Sequence, residues 1–135
     1  MGGTITAKWT GGVQFLAADE KGHVLVSDSE GQGFKPSEML LVALVGCAGV
    51  DLVSILAKKR QKFTAIEVKA TKFNAPEPPW PILKIEVVWT VRGRDLKQKA
   101  VEEAVHLAED KYCQVKASLA SQVVTTVLIV NEESG

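Results

Sequence analysis

Pro36-Ser-Glu-Met-Leu-Leu-Val-Ala-Leu-Val-Gly-Cys-Ala-Gly-Val50, continuing into Asp51-Leu-Val-Ser-Ile-Leu56, is the stretch on which the fold turns. Pro36 in a first turn and Glu38 near the positive end of the dipole open a helix well. The apolar pattern carries that helix to about Arg60, a length of about 37 Å. Its middle is apolar all the way round, so it must be covered on every side. A chain of 135 residues with thin sheets does not supply that cover alone, and the pattern therefore implies a homodimer in which two such helices pack together. The apolar run from Met39 to Val50, bounded by Glu38 and Asp51, falls short of the roughly 20 residues of a spanning helix. It reads as a core helix, with no membrane partner expected.

Upstream, Ile5, Ala7 and Trp9 alternate with Thr4, Thr6 and Lys8; Val13, Phe15 and Ala17 follow Gly11-Gly12; His23 to Asp28 follows the turn Glu20-Lys-Gly22. Period-two alternation between turn signals predicts three strands in a meander. Downstream, Ile66 to Phe73 and Leu83 to Arg92 alternate as half-buried strands. They are joined by Asn74-Ala-Pro-Glu-Pro-Pro-Trp-Pro81, which is too rich in proline for either strand and forms a stiff hairpin tip. Asp95 is expected to cap an amphipathic helix to about Glu109, with Leu96, Ala100, Ala104, Val105 and Ala108 on its apolar stripe and Gln98 placed for a capping box. A short helix from about Tyr112 to Ala120 and a strand from Val123 to Val130 complete the chain. The order βββα-ββ-αα-β is an α+β class, and without a composition break residues 1–135 read as a single domain.

Sixteen basic residues balance sixteen acidic ones, so no global field draws nucleic acid or an anionic membrane, and nucleic acid is not expected as a partner. The start, Met1-Gly-Gly-Thr-Ile-Thr6, does not look like a signal peptide. The expected location is the cytoplasm, where a stable structural disulfide is disfavoured. The two cysteines, Cys47 and Cys113, are then either inert core residues or redox-active ones.

Free cysteine is a frequent core residue, and Cys47 among Gly46, Ala48 and Gly49 fits a close helix crossing. Against that, Asp51 and Ser54 share its helix face and give the apolar helix a polar stripe that a purely structural core has little reason to bury. Gly46 and Gly49 cost helix stability, on the order of 1 kcal/mol each. They leave room either for a substrate or for a partner helix. Cys113 falls near a helix start, where positive potential favours thiolate. His23 and His106 lie on different elements without metal-ligand spacing, and neither a metal nor a cofactor is expected.

The segments Pro36 to Cys47, Asp51-Leu-Val-Ser-Ile-Leu56, Gly93-Arg-Asp-Leu-Lys97 and Lys111-Tyr-Cys113 together resemble the OsmC/Ohr family of osmotically induced and organic hydroperoxide resistance proteins, in detail its YhfA-like subgroup. The resemblance covers essentially the whole chain. It implies the OsmC-like fold, an intertwined homodimer around two long buried central helices, and a thiol peroxidase acting on organic hydroperoxides in a stress response. By position, Cys47 would be the peroxidatic cysteine and Cys113 the resolving one, with a dithiol, a lipoylated protein or a small thiol as reductant.

Two features of the family's peroxidase branches do not carry over. Ser37 follows Pro36 where a Glu is usual, and the carboxylate comes one place later at Glu38, about half a turn out of phase with Cys47. No Arg precedes Arg60, so an N-terminal guanidinium is lacking. Burial without a cation is expected to raise the Cys47 pKa and slow the chemistry. Lys35 and Lys21 are candidate substitute cations, although a point-charge lysine does not reproduce a two-pronged guanidinium clamp; Asp51 is a candidate supporting group through helix-to-helix hydrogen bonds. The alternative reading is a catalytically weak OsmC-like protein that holds a lipid-like ligand in the dimer-interface pocket or senses oxidant through its thiols.

Overall fold

Gly11 and Gly12, at φ of 122° and 53°, turn the chain where a side chain is strained. They join β1 (Thr6–Gly11) to β2 (Gln14–Ala18). With β3 (Val24–Asp28) these form an antiparallel sheet in the order β1-β2-β3. The computed structural model describes residues 2–133 as an N-terminal unit ending at Val42 and a C-terminal unit beginning at Ala43.

Helix α1 spans Pro36–Lys58, about 35 Å at 1.5 Å per residue. Glu38 in the first turn and Lys58 in the last suit the dipole. The helix stops two residues short of the expected Arg60. Arg60 adopts φ 56°, its N–H reaches the Ala57 carbonyl and the Gln61 N–H reaches that of Leu56, each at 3.0 Å. That is a Schellman-type end built without glycine.

In the C-terminal unit β4 (Lys62–Asn74) and β5 (Ile82–Arg94) are the two arms of a long antiparallel hairpin whose tip is the proline-rich segment. There the Asn74 side-chain amide donates to the Trp80 carbonyl at 2.8 Å. Strand β6 (Gln122–Asn131) pairs parallel to β5. A parallel neighbour requires a crossover, and α2 (Gln98–Leu107), a π-helical turn (Ala108–Tyr112) and α3 (Gln114–Ser118) supply it. Ile85, Val87, Trp89 and Val91 of β5 are buried as the alternation predicts, whereas Leu83 is exposed. At Gly93 a Cβ would meet the Lys62 carbonyl oxygen at 2.1 Å, so only glycine allows this pairing of β4 and β5.

The α+β class and the element order match the sequence expectation. The caps do not. Asp95 has φ 51° and lies outside the helix; Lys97 is the N-cap of α2 and no side chain caps it. The Leu96 N–H is instead held by the Asn131 side-chain carbonyl at 2.7 Å, and Gln98 bonds Glu102 and the Val127 carbonyl. The long-range partner at the end of β6 takes over what a local capping box was expected to do.

Within the C-terminal unit helix α1 is buried along one stripe only. Leu44, Ala48, Leu52 and Leu56 form a buried stripe at four-residue spacing, while Val50 is 73% and Val53 46% exposed. Cys47 and Asp51 are half-buried on the flank of that stripe and Ser54 is exposed, so the expected burial of the polar stripe is not met within the chain. Apolar character also continues beyond Asp51, and α1 as a whole is long and apolar enough to cross a membrane. The argument from a short apolar run therefore fails. What distinguishes α1 from a lipid-facing span is the carboxylate of Asp51, about two turns before its C-terminal end, beside a row of buried residues.

Candidate functional site

Cys47 and Cys113 are both free thiols, and the fold brings them close enough that each shifts the other's acidity. Cys47 comes from the middle of α1. Cys113 is the N-cap of α3, in extended backbone at φ −81° and ψ 101°. Its sulfur accepts the Lys116 N–H at 3.4 Å and lies 3.9 Å from the Leu44 carbonyl, a long contact even for sulfur. Of the two acceptors open to the Cys113 S–H, an ionised Cys47 is the stronger.

The two thiols are driven apart in acidity. Cys47 is held below the ordinary thiol value of 9.0, first by the backbone N–H of Val115; burial opposes this, and Cys113 and the Gln114 N–H add to the lowering. Cys113 is pushed above its ordinary value, first by burial, with its contact to Cys47 acting in the same sense. The sequence expectation is thus corrected at both positions. Cys47 does not need a cation to become acidic, because the peptide N–H groups of Val115 and Gln114 in the first turn of α3 favour its thiolate. Cys113, expected to gain thiolate character from its helix start, loses more to desolvation than the Lys116 N–H returns.

Asp51, one turn beyond Cys47, disfavours the thiolate through its charge. Glu38 lies in the N-terminal unit, exposed in the first turn of α1, and lines an open cavity of about 430 Å³ with Val24, Leu25, Val26, Gly33 and Phe34. Lys35 precedes the helix and its carbonyl accepts the Glu38 and Met39 N–H groups; Lys35 and Lys21 belong to the N-terminal unit, Cys47 to the C-terminal one. His23 pairs with Asp19 and His106 with Asp110, each at 2.7 Å. Among the described residues no group of three or more His, Cys, Asp or Glu side chains could hold a metal ion.

Sequence reasoning missed the Gln114 and Val115 N–H groups, which no residue type announces, and it missed Glu109. That carboxylate is 5% exposed, accepts from the Trp89 indole N–H at 3.1 Å and from the Thr125 hydroxyl at 2.6 Å. A signal for it existed: Glu109 follows Val101 and Val105 at four-residue spacing, on the apolar face of its helix.

The family model for OsmC-like proteins matches residues 29–127. Protein YhfA of Escherichia coli K12 is 41% identical over 118 residues, covering 86% of this chain and 88% of its own. Among solved structures, a hypothetical protein from Aquifex aeolicus superposes with a TM-score of 0.90 at 27% identity, covering 98% of this chain and 99% of that one. The organic hydroperoxide resistance protein OhrB of Bacillus subtilis shares the fold, with a TM-score of 0.62 at 16% identity over 96% of this chain and 98% of that one. The chain belongs to the OsmC family.

Proposed function

We propose that the protein is a thiol-dependent peroxidase that reduces organic hydroperoxides with Cys47 as the attacking and Cys113 as the resolving thiol. The observation that carries the reading is the pair of neighbouring thiols, free and driven to opposed acidities. The Cys47 thiolate attacks the outer oxygen of ROOH, the O–O bond breaks, and the departing alkoxide takes a proton to leave as ROH. Cys47 becomes a sulfenic acid. The Cys113 sulfur then attacks the Cys47 sulfur, a disulfide forms and water leaves with the Cys113 proton. A dithiol, free or lipoyl-bound, restores both thiols by exchange and is itself oxidised to a disulfide. A resolving thiol is best kept protonated until the sulfenic acid exists, which fits the raised pKa of Cys113.

The working form in this reading is a homodimer in the cytoplasm. The exposed apolar face of α1 around Val50 and Val53 supports the dimer, since such a face is normally covered. The rival, an OsmC-like protein that binds a lipid-like ligand or senses oxidant, is favoured by one feature: no Arg precedes Arg60, so the N-terminal guanidinium of the family's peroxidase branches has no counterpart by position.

The test is intact mass and residual thiol after reduced protein meets a small excess of cumene hydroperoxide, alongside Cys47→Ser and Cys113→Ser. Loss of two hydrogens in the wild type, with sulfenic acid trapped only in Cys113→Ser, is the expected result. Thiols left unreacted over minutes would transfer the case to the rival.

A further inference from the structure

The turn whose N–H groups bond Cys113 and favour the Cys47 thiolate is short. α3 runs only from Gln114 to Ser118, and five residues do not hold a helix in place by their own hydrogen bonds. Something must fix its position, and one side chain of the turn is tied down. The Lys116 ammonium is only 23% exposed; it bonds the Asp110 carboxylate and lies 3.9 Å from that of Glu109. Both acids belong to the π-helical turn Ala108–Tyr112, a local widening of the kind that often serves a functional site. Glu109 is anchored in turn to β5 through Trp89 and to β6 through Thr125. The chain of contacts runs from the β4-β5-β6 sheet, through a buried carboxylate and an ammonium, to the residue whose own N–H bonds Cys113 and whose two predecessors favour the Cys47 thiolate.

We propose that Lys116 is a positioning residue for the thiol pair, braced by Glu109 and Asp110 so that its own N–H stays on Cys113 and the Gln114 and Val115 N–H groups stay beside Cys47. It acts through the backbone and touches neither sulfur with its side chain. The other charged groups around the brace are Glu102 and His106 of α2, which line the same cavity of about 350 Å³; His106 is bonded to Asp110. No charged group from β6 lines it. The proposal rests on Cys47 being the attacking thiol, yet its test needs no peroxide, so the two can fail separately.

The experiment follows the rate of iodoacetamide modification at Cys47 against pH in the reduced full-length protein, located by peptide mass, for the wild type, Lys116→Met, Lys116→Arg and Asp110→Asn. A brace and a bare charge predict opposite signs for the acid variant. If Lys116 worked as a distant cation, removing the Asp110 charge would free its field and lower the Cys47 midpoint. If it works as a brace, Asp110→Asn loosens the turn and raises the midpoint, as Lys116→Met does. The expected result is an upward shift of about 0.5 to 1 pH unit in both, a 3- to 10-fold slower reaction at neutral pH, with Lys116→Arg close to wild type. Circular dichroism confirms that each variant is folded; Asp110→Asn, which keeps the side-chain shape, guards against a misfolded Lys116→Met. An unshifted profile in both Lys116→Met and Asp110→Asn, or a midpoint lowered in Asp110→Asn, would overturn the proposal.

Discussion

Replacing Gln114 by proline deletes one of the two N–H groups that hold Cys47 while leaving the local backbone intact. Position 114 is the first residue of α3, where proline's fixed φ suits the helix and its missing N–H costs no helical bond. The preceding residue, Cys113, is already extended at φ −81° and ψ 101°, the conformation that a following proline demands. A hydrogen bond to a charged acceptor contributes about 1.5–3 kcal/mol, and the half-buried position of Cys47 leaves water to replace part of it. A residual loss of about 0.7–1.4 kcal/mol corresponds to about 0.5–1 pKa unit upward. Below the midpoint, thiolate supply scales directly with that shift, so iodoacetamide should modify Cys47 about 3- to 10-fold more slowly near neutral pH. Gln114→Ala keeps the N–H and should match the wild type. A folded Gln114→Pro protein with an unchanged rate profile would refute the claim that the Gln114 N–H helps set the acidity of Cys47 and leave the Val115 N–H as the peptide donor that acts.

Thiolate absorbance of the reduced protein should rise in two steps, one on each side of the ordinary value of 9.0, and Cys47→Ser should remove the lower step. Stability follows with opposite signs: the depressed Cys47 stabilises the fold above the unfolded thiol value and loses this as pH falls through its own pKa, whereas the raised Cys113 favours the fold below the unfolded value and loses this as pH rises through its own. Melting scans of Cys47→Ser from pH 8 to 10 should therefore fall more steeply with pH than those of the wild type. Gly93→Ala should destabilise by at least the roughly 1–3 kcal/mol of an overpacked site, because the added methyl meets backbone at 2.1 Å; urea unfolding will show a lowered midpoint. Val50→Glu, on the exposed face of α1, should convert a dimer to a monomer in light scattering, and an unchanged mass would move the interface elsewhere. Gly46 meets nothing within 4 Å inside the chain, so Gly46→Ala should gain about 1 kcal/mol of helix stability unless a partner helix fills that space.

Much of this was open to a reader of the sequence. Period-two alternation located the strands, because β5 places Ile85, Val87, Trp89 and Val91 on one buried face, and the central apolar run located α1. The parallel partner of β5 and the π-helical turn were hidden, since pairing direction and a one-residue widening depend on tertiary contacts rather than composition. The two thiols were legible as a pair, yet their acidities were assigned the wrong way round. The rule applied to Cys47 looked for a charged side chain, and the group that acts is the peptide N–H of Val115, which every residue but proline possesses. Only the path of the crossover through α3 decides which of these donors faces a sulfur.

Trp89 has a use beyond packing. Its ring lies 3.9 Å from where a Cβ on Gly49 would stand, and its indole N–H is held by Glu109. At 1% exposure it differs sharply from the other tryptophans, Trp9 at 66% and Trp80 at 56%. Its fluorescence should be blue-shifted and closed to iodide, while theirs is red-shifted and quenched. The protein thus carries a buried fluorophore packed two residues along α1 from Cys47, and a shift in its emission on adding peroxide and then dithiol would follow the proposed thiol cycle without a label.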